Sequence, residues 1–308
     1  MYRPDPDLLR KQLNSIAAQS FTDWTCHVGI DGPDAAALSL TREIVGDDAR
    51  FVLHTFGENV GFFRNFERLV CLISARARWF ALADQDDYWY PTKLSTLLDP
   101  LKSPDVMSVS GQARVVDRSG SLLSHTKRRE TDLVSLLLNN QITGSLTIFR
   151  REILKIALPF PIPTDVAYHD HWLGVTARSL GATMIIDSVV QDYVQHEANS
   201  LGEEMPGRFR KRLTILSTRA TETGGMLRYL AENRWEWRVR MAKLIIDRVS
   251  PPPSDEAVLQ IANGQLRGRV ALKMFLSTIK HEAPPGRILA LLIGACGWRN
   301  GGVRPEAH

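Results

Sequence analysis

The chain has 308 residues, 44% hydrophobic and 23% charged, which excludes a disordered polymer and leaves room for one large domain or two smaller ones. Its three cysteines, Cys26, Cys71 and Cys296, are too few and too scattered for a disulfide framework or a zinc knuckle, and they fit a reducing, cytoplasmic setting. The net charge of +4 hides an asymmetry: residues 1–202 carry 20 Lys+Arg against 24 Asp+Glu, and residues 203–308 carry the other 18 against 10.

Leu9, Leu13, Ile16 and Ala17 recur at helical spacing, so a helix begins within a few residues of Met1. Trp24 to Ile30 is an apolar run of strand length, closed by the turn Asp31-Gly32-Pro33-Asp34. Arg50 to Phe56 reads as a second strand. Asn59 and Gly61 follow, with Asn59 placed to cap a helix whose inward residues are predicted to be Phe62, Phe66, Leu69, Val70 and Ile73. Trp79 to Ala83 is a third short apolar run, followed by Asp84-Gln85-Asp86-Asp87. Pro91 then opens a helix with Leu94, Leu97, Leu98 and Leu101 on one face. The acids therefore lie at the carboxyl end of a strand, where open α/β sheets bind ligands. Clustered carboxylates repel one another unless a cation sits among them. Asp84 and Asp86 point the same way in an extended segment, and oxygen ligands suit Mg2+ or Mn2+. The plainer alternative is a solvated acidic turn with Asp87 as a cap.

Val106 to Val116 reads as one long strand or a strand pair, and Lys127-Arg128-Arg129 as a solvated basic run. Thr143-Gly144 leads into an apolar strand from Leu146 to Phe149, the glycine allowing close backbone approach. Tyr168-His169-Asp170-His171-Trp172 opens a helix continued by Leu173, Ala177 and Leu180, so Asp170 falls in a first turn, where the helix dipole favours it. Two histidines around one Asp also raise a zinc site, although no third ligand is near in sequence. Met184 to Ile186 is a strand, followed by Tyr193-Val194-Gln195-His196, Asn199 and Gly202. Helices are expected over Met205 to Val249, a break at Pro251-Pro252-Pro253, then helical pieces over Ala257 to Ile279 and Arg287 to Trp298. Arg287, Ile288, Leu291, Leu292 and Trp298 suit either a packed helical cap or a helix lying flat on a membrane. Ile288 to Trp298 is 11 residues, too short to span a bilayer. Anionic lipid or glycan are partners open to the basic half, and nucleic acid is not expected.

The segment Ala81 to Lys93 closely resembles the metal-binding segment of glycosyltransferase family 2, whose members have the GT-A fold, and it is most similar to the rhamnosyltransferase-type branch. Further matches occur in order over about residues 1–202. The resemblance implies a Rossmann-like, mostly parallel sheet with helices on both faces over residues 1–202 and a helical region over 203–308. It implies a metal-dependent hexosyltransferase of cell-surface polysaccharide synthesis, with a nucleotide-diphosphate sugar donor, a saccharide or glycan acceptor and a divalent Mg or Mn ion. On this resemblance Asp31 contacts the base, Asn59 and Gly61 lie beside the nucleotide, Asp84 stands with the donor beside the metal, and His196 contacts the metal or the diphosphate. Asp86 and Asp87 hold the metal; Gly144, His169 and Trp172 face the acceptor; and Asp170 is the base of an inverting displacement. The sequence also departs from the family. The first strand, expected ahead of Tyr2-Arg3-Pro4, is absent from this sequence, which predicts an empty slot in the sheet. Ile30 and Pro33 replace an Asp and a Ser, and Val194 stands where an Arg is usual. The rival reading is a truncated, inactive protein that holds a nucleotide or glycan on the same fold.

Overall fold

Asp5 accepts hydrogen bonds from the backbone N–H groups of Asp7 and Leu8 at 3.1 and 3.2 Å, and Pro6 presets the first turn, so helix α1 (Pro6–Ala17) begins there. The computed structural model describes residues 1–196, 221, 225–280 and 283–298, so the expectations for Asn199 and Gly202 lie outside the described residues. The chain divides into two compact units. One takes in residues 1–130, 141–160 and 176–203, the other residues 131–140, 161–175 and 204–308.

In the first unit, β1 (Cys26–Ile30) pairs in parallel with β2 (Phe51–Thr55), the two joined through α2 (Ala35–Val45). Helix α3 (Gly61–Val70) lies directly on β1: a Cβ at Gly29 would stand 2.8 Å from the Leu69 side chain, so only glycine admits this approach. The expected inward face of α3 is corrected here. Phe62 is 45% exposed, and Phe63 is buried instead, edge-on to Phe160 with ring centroids 5.5 Å apart. The cause is Asn65, which is buried and donates to Gly29 O at 3.3 Å, fixing the rotation of the helix.

The remaining strands are β3 (Trp79–Ala81), β4 (Tyr88–Trp89), β5 (Val106–Val116), β6 (Leu122–His125), β7 (Thr147–Arg150) and β8 (Ala182–Val194), with α4 (Lys93–Leu98) after β4. Their order is β3-β7-β5-β8-β4, and β6 pairs with β5. Among the described residues β1–β2 and β5–β8 are the parallel pairs, and β3–β7, β5–β7, β5–β6 and β4–β8 are antiparallel. The sheet is thus mixed rather than mostly parallel. The strand–helix alternation that favours parallel pairing stops after α4, and the β5–β6 hairpin then reverses the chain. β5 coincides with the expected long strand Val106–Val116, whereas the 13-residue β8 extends well beyond the expected Met184–Ile186. Leu9, Leu13 and Ile16 of α1, Leu94 and Leu97 of α4, and Val109, Ala113, Ile148 and Val190 of the strands share one core. At the top of β1, Asp31 N–H donates to Met1 O at 2.8 Å and the Met1 amino group donates to Gly29 O.

The second unit is helical. It contains Leu133–Leu138, the first half of His169–Leu180, Glu236–Arg248, Glu256–Ala262, Gly268–Ile279 and Pro285–Gly297. Trp172, Tyr229, Trp235 and Trp237 are buried in it. In Pro285–Gly297 the residues Ile288 and Leu291 are buried, so that face packs into the unit rather than lying outward. Among the described residues no helix is long and apolar enough to cross a membrane.

Candidate active site

The turn after β1 and the loop before α3 meet at Asp31. This residue is 3% exposed, and its Oδ1 accepts from Val60 N–H at 2.9 Å and from Arg68 Nη2 at 2.6 Å. Asn59 does two jobs: its Nδ2 donates to Asp31 O at 3.2 Å, and its Oδ1 accepts from Gly61 N–H at 3.1 Å. Gly61 has φ +77°, a left-handed conformation that glycine adopts without strain. The three residues expected beside a nucleotide, Asp31, Asn59 and Gly61, are therefore brought together. Sequence reading missed Arg68. Its guanidinium lies 3.5 Å above the Phe56 ring centroid and also donates to Asn65 Oδ1 at 2.9 Å. The available signal was its place one turn after Asn65, on the face toward β1.

The acidic loop between β3 and β4 does not treat its carboxylates alike. Asp86 faces His196, with Oδ2 and Nε2 2.8 Å apart and both side chains partly open to solvent. Gln85 is tied by its amide to the backbone of Tyr2, accepting from its N–H at 3.0 Å and donating to its carbonyl at 3.3 Å. Asp87 turns inward: it is 1% exposed, its Oδ2 accepts from Gln191 Nε2 at 2.8 Å, and its Oδ1 lies 3.4 Å from Val194 N–H. Gln191 Oε1 in turn accepts from Lys93 Nζ, which also donates to Ser145 O beside Gly144. Lys93 is as buried as Asp87 and lies over the Trp89 ring. Burial, then the charges of Asp84 and Asp86, holds the Asp87 carboxyl well above the usual carboxylate range. Burial pushes the Lys93 ammonium well below its ordinary value, against the pull of Asp87 and Asp84. Asp84 is half-buried beside them.

The donor set fits a divalent ion. As placed, Asp86 and His196 are hydrogen-bonded to each other; a carboxylate oxygen and an imidazole nitrogen are both ligands that a divalent ion takes, so an ion bound there would replace that hydrogen bond. Among the described residues no third His, Cys, Asp or Glu joins them, which leaves the remaining positions to substrate oxygens and water. As placed, Asp87 spends its oxygens on Gln191 and Val194 N–H.

In the second unit Asp170 occupies the first turn of His169–Leu180, 8% exposed, and its Oδ1 accepts from Asn140 Nδ2 at 3.1 Å. His169 and Trp172 are buried beside it in sequence. The zinc alternative fails at His171: Nε2 donates to Leu136 O at 2.7 Å, and Nδ1 accepts from Trp237 Nε1–H at 3.2 Å. Both ring nitrogens are spent, and burial pushes the pKa down to about 3.

The curled mixed sheet with its flanking helices has the fold of solved GT-A glycosyltransferases. The model of glycosyl transferase family 2 matches residues 2–173, and the chain belongs to that family. The mannosyltransferase PcManGT from Pyrobaculum calidifontis, solved with GDP-Man and Mn2+, superposes with a TM-score of 0.51 at 17% identity, over 96% of this chain and 84% of its own. Staphylococcus aureus TarS 1–349, solved with UDP-GlcNAc, superposes with a TM-score of 0.51 at 14% identity, over 96% and 89%. Uncharacterized proteins of Mycobacterium bovis and Mycobacterium tuberculosis are 28% identical over 193 residues, 58% of this chain and 54% of theirs. The chain thus spans about half the length of these curated relatives.

Proposed function

We propose that the protein is an inverting glycosyltransferase that moves a sugar from a nucleotide-diphosphate donor to a hydroxyl of a saccharide or glycan acceptor. Rhamnose is the sugar that the sequence resemblance names, in cell-surface polysaccharide synthesis. Asp170 takes the proton from the acceptor hydroxyl; its oxygen bonds to the anomeric carbon, and the bond to the diphosphate oxygen breaks, the electron pair leaving with the nucleotide. Asp31 and Asn59 hold the base side of the donor, with Arg68 fixing Asp31. Gly144 and Trp172 belong to the acceptor side. Asp86 and His196 would hold Mg2+ or Mn2+, which supplies positive charge to the leaving diphosphate. Asp84 stands beside that diphosphate, while Asp87 anchors the loop from beneath. The setting on this reading is the cytoplasm, with the basic C-terminal half toward the inner face of a membrane.

The observation that carries the reading is the Asp86–His196 pair, a carboxylate and an imidazole brought together at the carboxyl end of β3 from positions 110 residues apart, 17% and 9% exposed. The co-crystallised donors of the two solved relatives support it. A protein that binds a nucleotide or glycan without turnover is the second reading. It is favoured by Val194, whose buried side chain brings no cation to the place where the family has an Arg. Calorimetry of UDP and GDP with and without Mn2+ tests the first reading. Binding should strengthen with Mn2+ in the wild type and in Asp34→Ala, which removes only the cap of α2, but not in Asp86→Ala. An unchanged Mn2+ dependence in Asp86→Ala overturns it.

A further inference from the structure

The helix Gly268–Ile279 is apolar on both sides. Val270, Met274 and Ser277 are buried and seat it in the second unit. On the opposite side stand Leu272, Phe275 and Ile279, exposed by 56%, 61% and 57%. At three and four residues apart they form one outward stripe, where a surface helix normally shows charge. Single exposed apolar residues need no explanation, but an aligned row of three large ones marks a contact surface.

One flank of the stripe is cationic. Arg269, Lys273 and Lys280 fall within about 40° of one another on the helical wheel, and Arg267 precedes the helix. Residues 257–280 contain no Asp or Glu, although the whole chain has 34 acids. Arg269 pairs with Glu256 at 3.0 Å and Lys273 with Asp132 at 2.5 Å, and the side chains in these pairs are between 34% and 66% exposed. Surface pairs of this kind are weak and exchange readily for another anion. A sheet of anionic headgroups above hydrocarbon matches the apolar stripe and the basic flank at once, its phosphates taking the place of Glu256 and Asp132.

We infer that Gly268–Ile279 is a membrane-surface helix: Leu272, Phe275 and Ile279 enter the boundary between headgroups and acyl chains of an anionic bilayer, and the basic flank meets the phosphates. The inference rests on the membrane setting proposed above and assigns it to a helix. The helix that the sequence raised for a membrane surface, Pro285–Gly297, turns Ile288 and Leu291 inward, as the packed alternative expects.

Flotation of the full chain with phosphatidylcholine vesicles, with and without 30% phosphatidylglycerol, tests it. Binding should require the anionic lipid, weaken with salt, and fall at least about tenfold in Phe275→Ser and further in Leu272→Ser/Phe275→Ser. Leu122→Ser, at 52% exposure in the other unit, should bind as wild type. Because the substituted side chains point outward, the melting temperature and nucleotide diphosphate binding should stay unchanged. Equal vesicle binding by Phe275→Ser and wild type overturns the inference. So does a wild type that does not float, or a dimer in sedimentation that Phe275→Ser dissolves, which would make the stripe a self-contact. A protein that floats yet binds no nucleotide diphosphate keeps the membrane helix and loses the transferase reading.

Discussion

Acid will destabilise the protein through His171, and replacing that residue by Gln will remove part of the loss. His171 is 2% exposed, and its two hydrogen bonds require a neutral ring with the proton on Nε2. Burial, reinforced by the Arg238 guanidinium, pushes its pKa from 6.5 down to about 3. Between those values the unfolded chain binds a proton that the folded chain refuses, so stability is full above pH 6.5 and falls as the pH drops through that window. At pH 5 the unfolded ring is about 30-fold more protonated than neutral, which corresponds to a loss of about 2 kcal/mol relative to pH 8. His169, pushed down to about 3 by burial, adds a similar amount. A combined loss of about 4 kcal/mol is large against the 5–15 kcal/mol typical of a folded domain. Gln at 171 can still donate to Leu136 O and accept from Trp237, but it does not titrate. Urea unfolding followed by tryptophan fluorescence at pH 8 and pH 5 should therefore show a loss of about 4 kcal/mol in the wild type and about 2 kcal/mol in His171→Gln. An equal loss in both proteins refutes the reasoning.

Asp170→Asn keeps the size of the side chain but cannot take a proton; single-turnover transfer should slow by roughly 10²-fold or more while donor affinity stays level, and equal rates would remove Asp170 from the mechanism. Lys93→Met removes the buried hydrogen bonds from Lys93 Nζ to Ser145 O and Gln191 Oε1 and should cost about 1–3 kcal/mol in chemical denaturation; a variant as stable as wild type would show that these bonds contribute nothing to the fold. Gly29→Ala drives a methyl into Leu69 and should cost about 1–3 kcal/mol, relieved by adding Leu69→Ala. Thermal melting of the three variants checks this last expectation, and a Gly29→Ala protein as stable as wild type counts against the close approach of α3 to β1.

The acidic loop, the helix opened by His169 and the strand–turn pairs at Asp31 and Asn59 were legible because each couples a local pattern to a polar cluster. What was not legible depends on long-range packing. Nothing local shows that Asp87 turns inward while Asp86, one residue before it, turns out. That depends on Gln191, 104 residues away, reaching the Asp87 carboxylate. Lys93 held a hint, since it begins the same helix as the buried Leu94 and Leu97, but a lysine at a helix start ordinarily reads as solvated. Arg68 escaped because its partner Asp31 lies 37 residues earlier and its stacking on Phe56 involves a third element. The antiparallel pairing was missed because strand direction follows from the route of the connections, although Asp117-Arg118-Ser119-Gly120, with Asp117 Oδ1 accepting from the N–H groups of Ser119 and Ser121, is a turn signal between β5 and β6.

The strand order has a consequence for how copies of the protein behave in solution. Among the described residues β3 ends its sheet, and β1 and β2 pair with each other, so their outer backbone groups have no strand partner there. Such borders invite lateral growth when two molecules meet. Here the liability is limited by brevity and by charge: β3 has three residues, and Arg78 sits immediately before it with its guanidinium 4.5 Å from the Trp79 ring. β1 is guarded less, by the Met1 backbone at its top. Mutual repulsion between copies supplies the rest, and it vanishes near pH 9, where the net charge of the sequence passes through zero. Colloidal stability in this protein is therefore tied to pH separately from folding: the acid side threatens the buried histidines, and the alkaline side removes the charge that keeps copies apart.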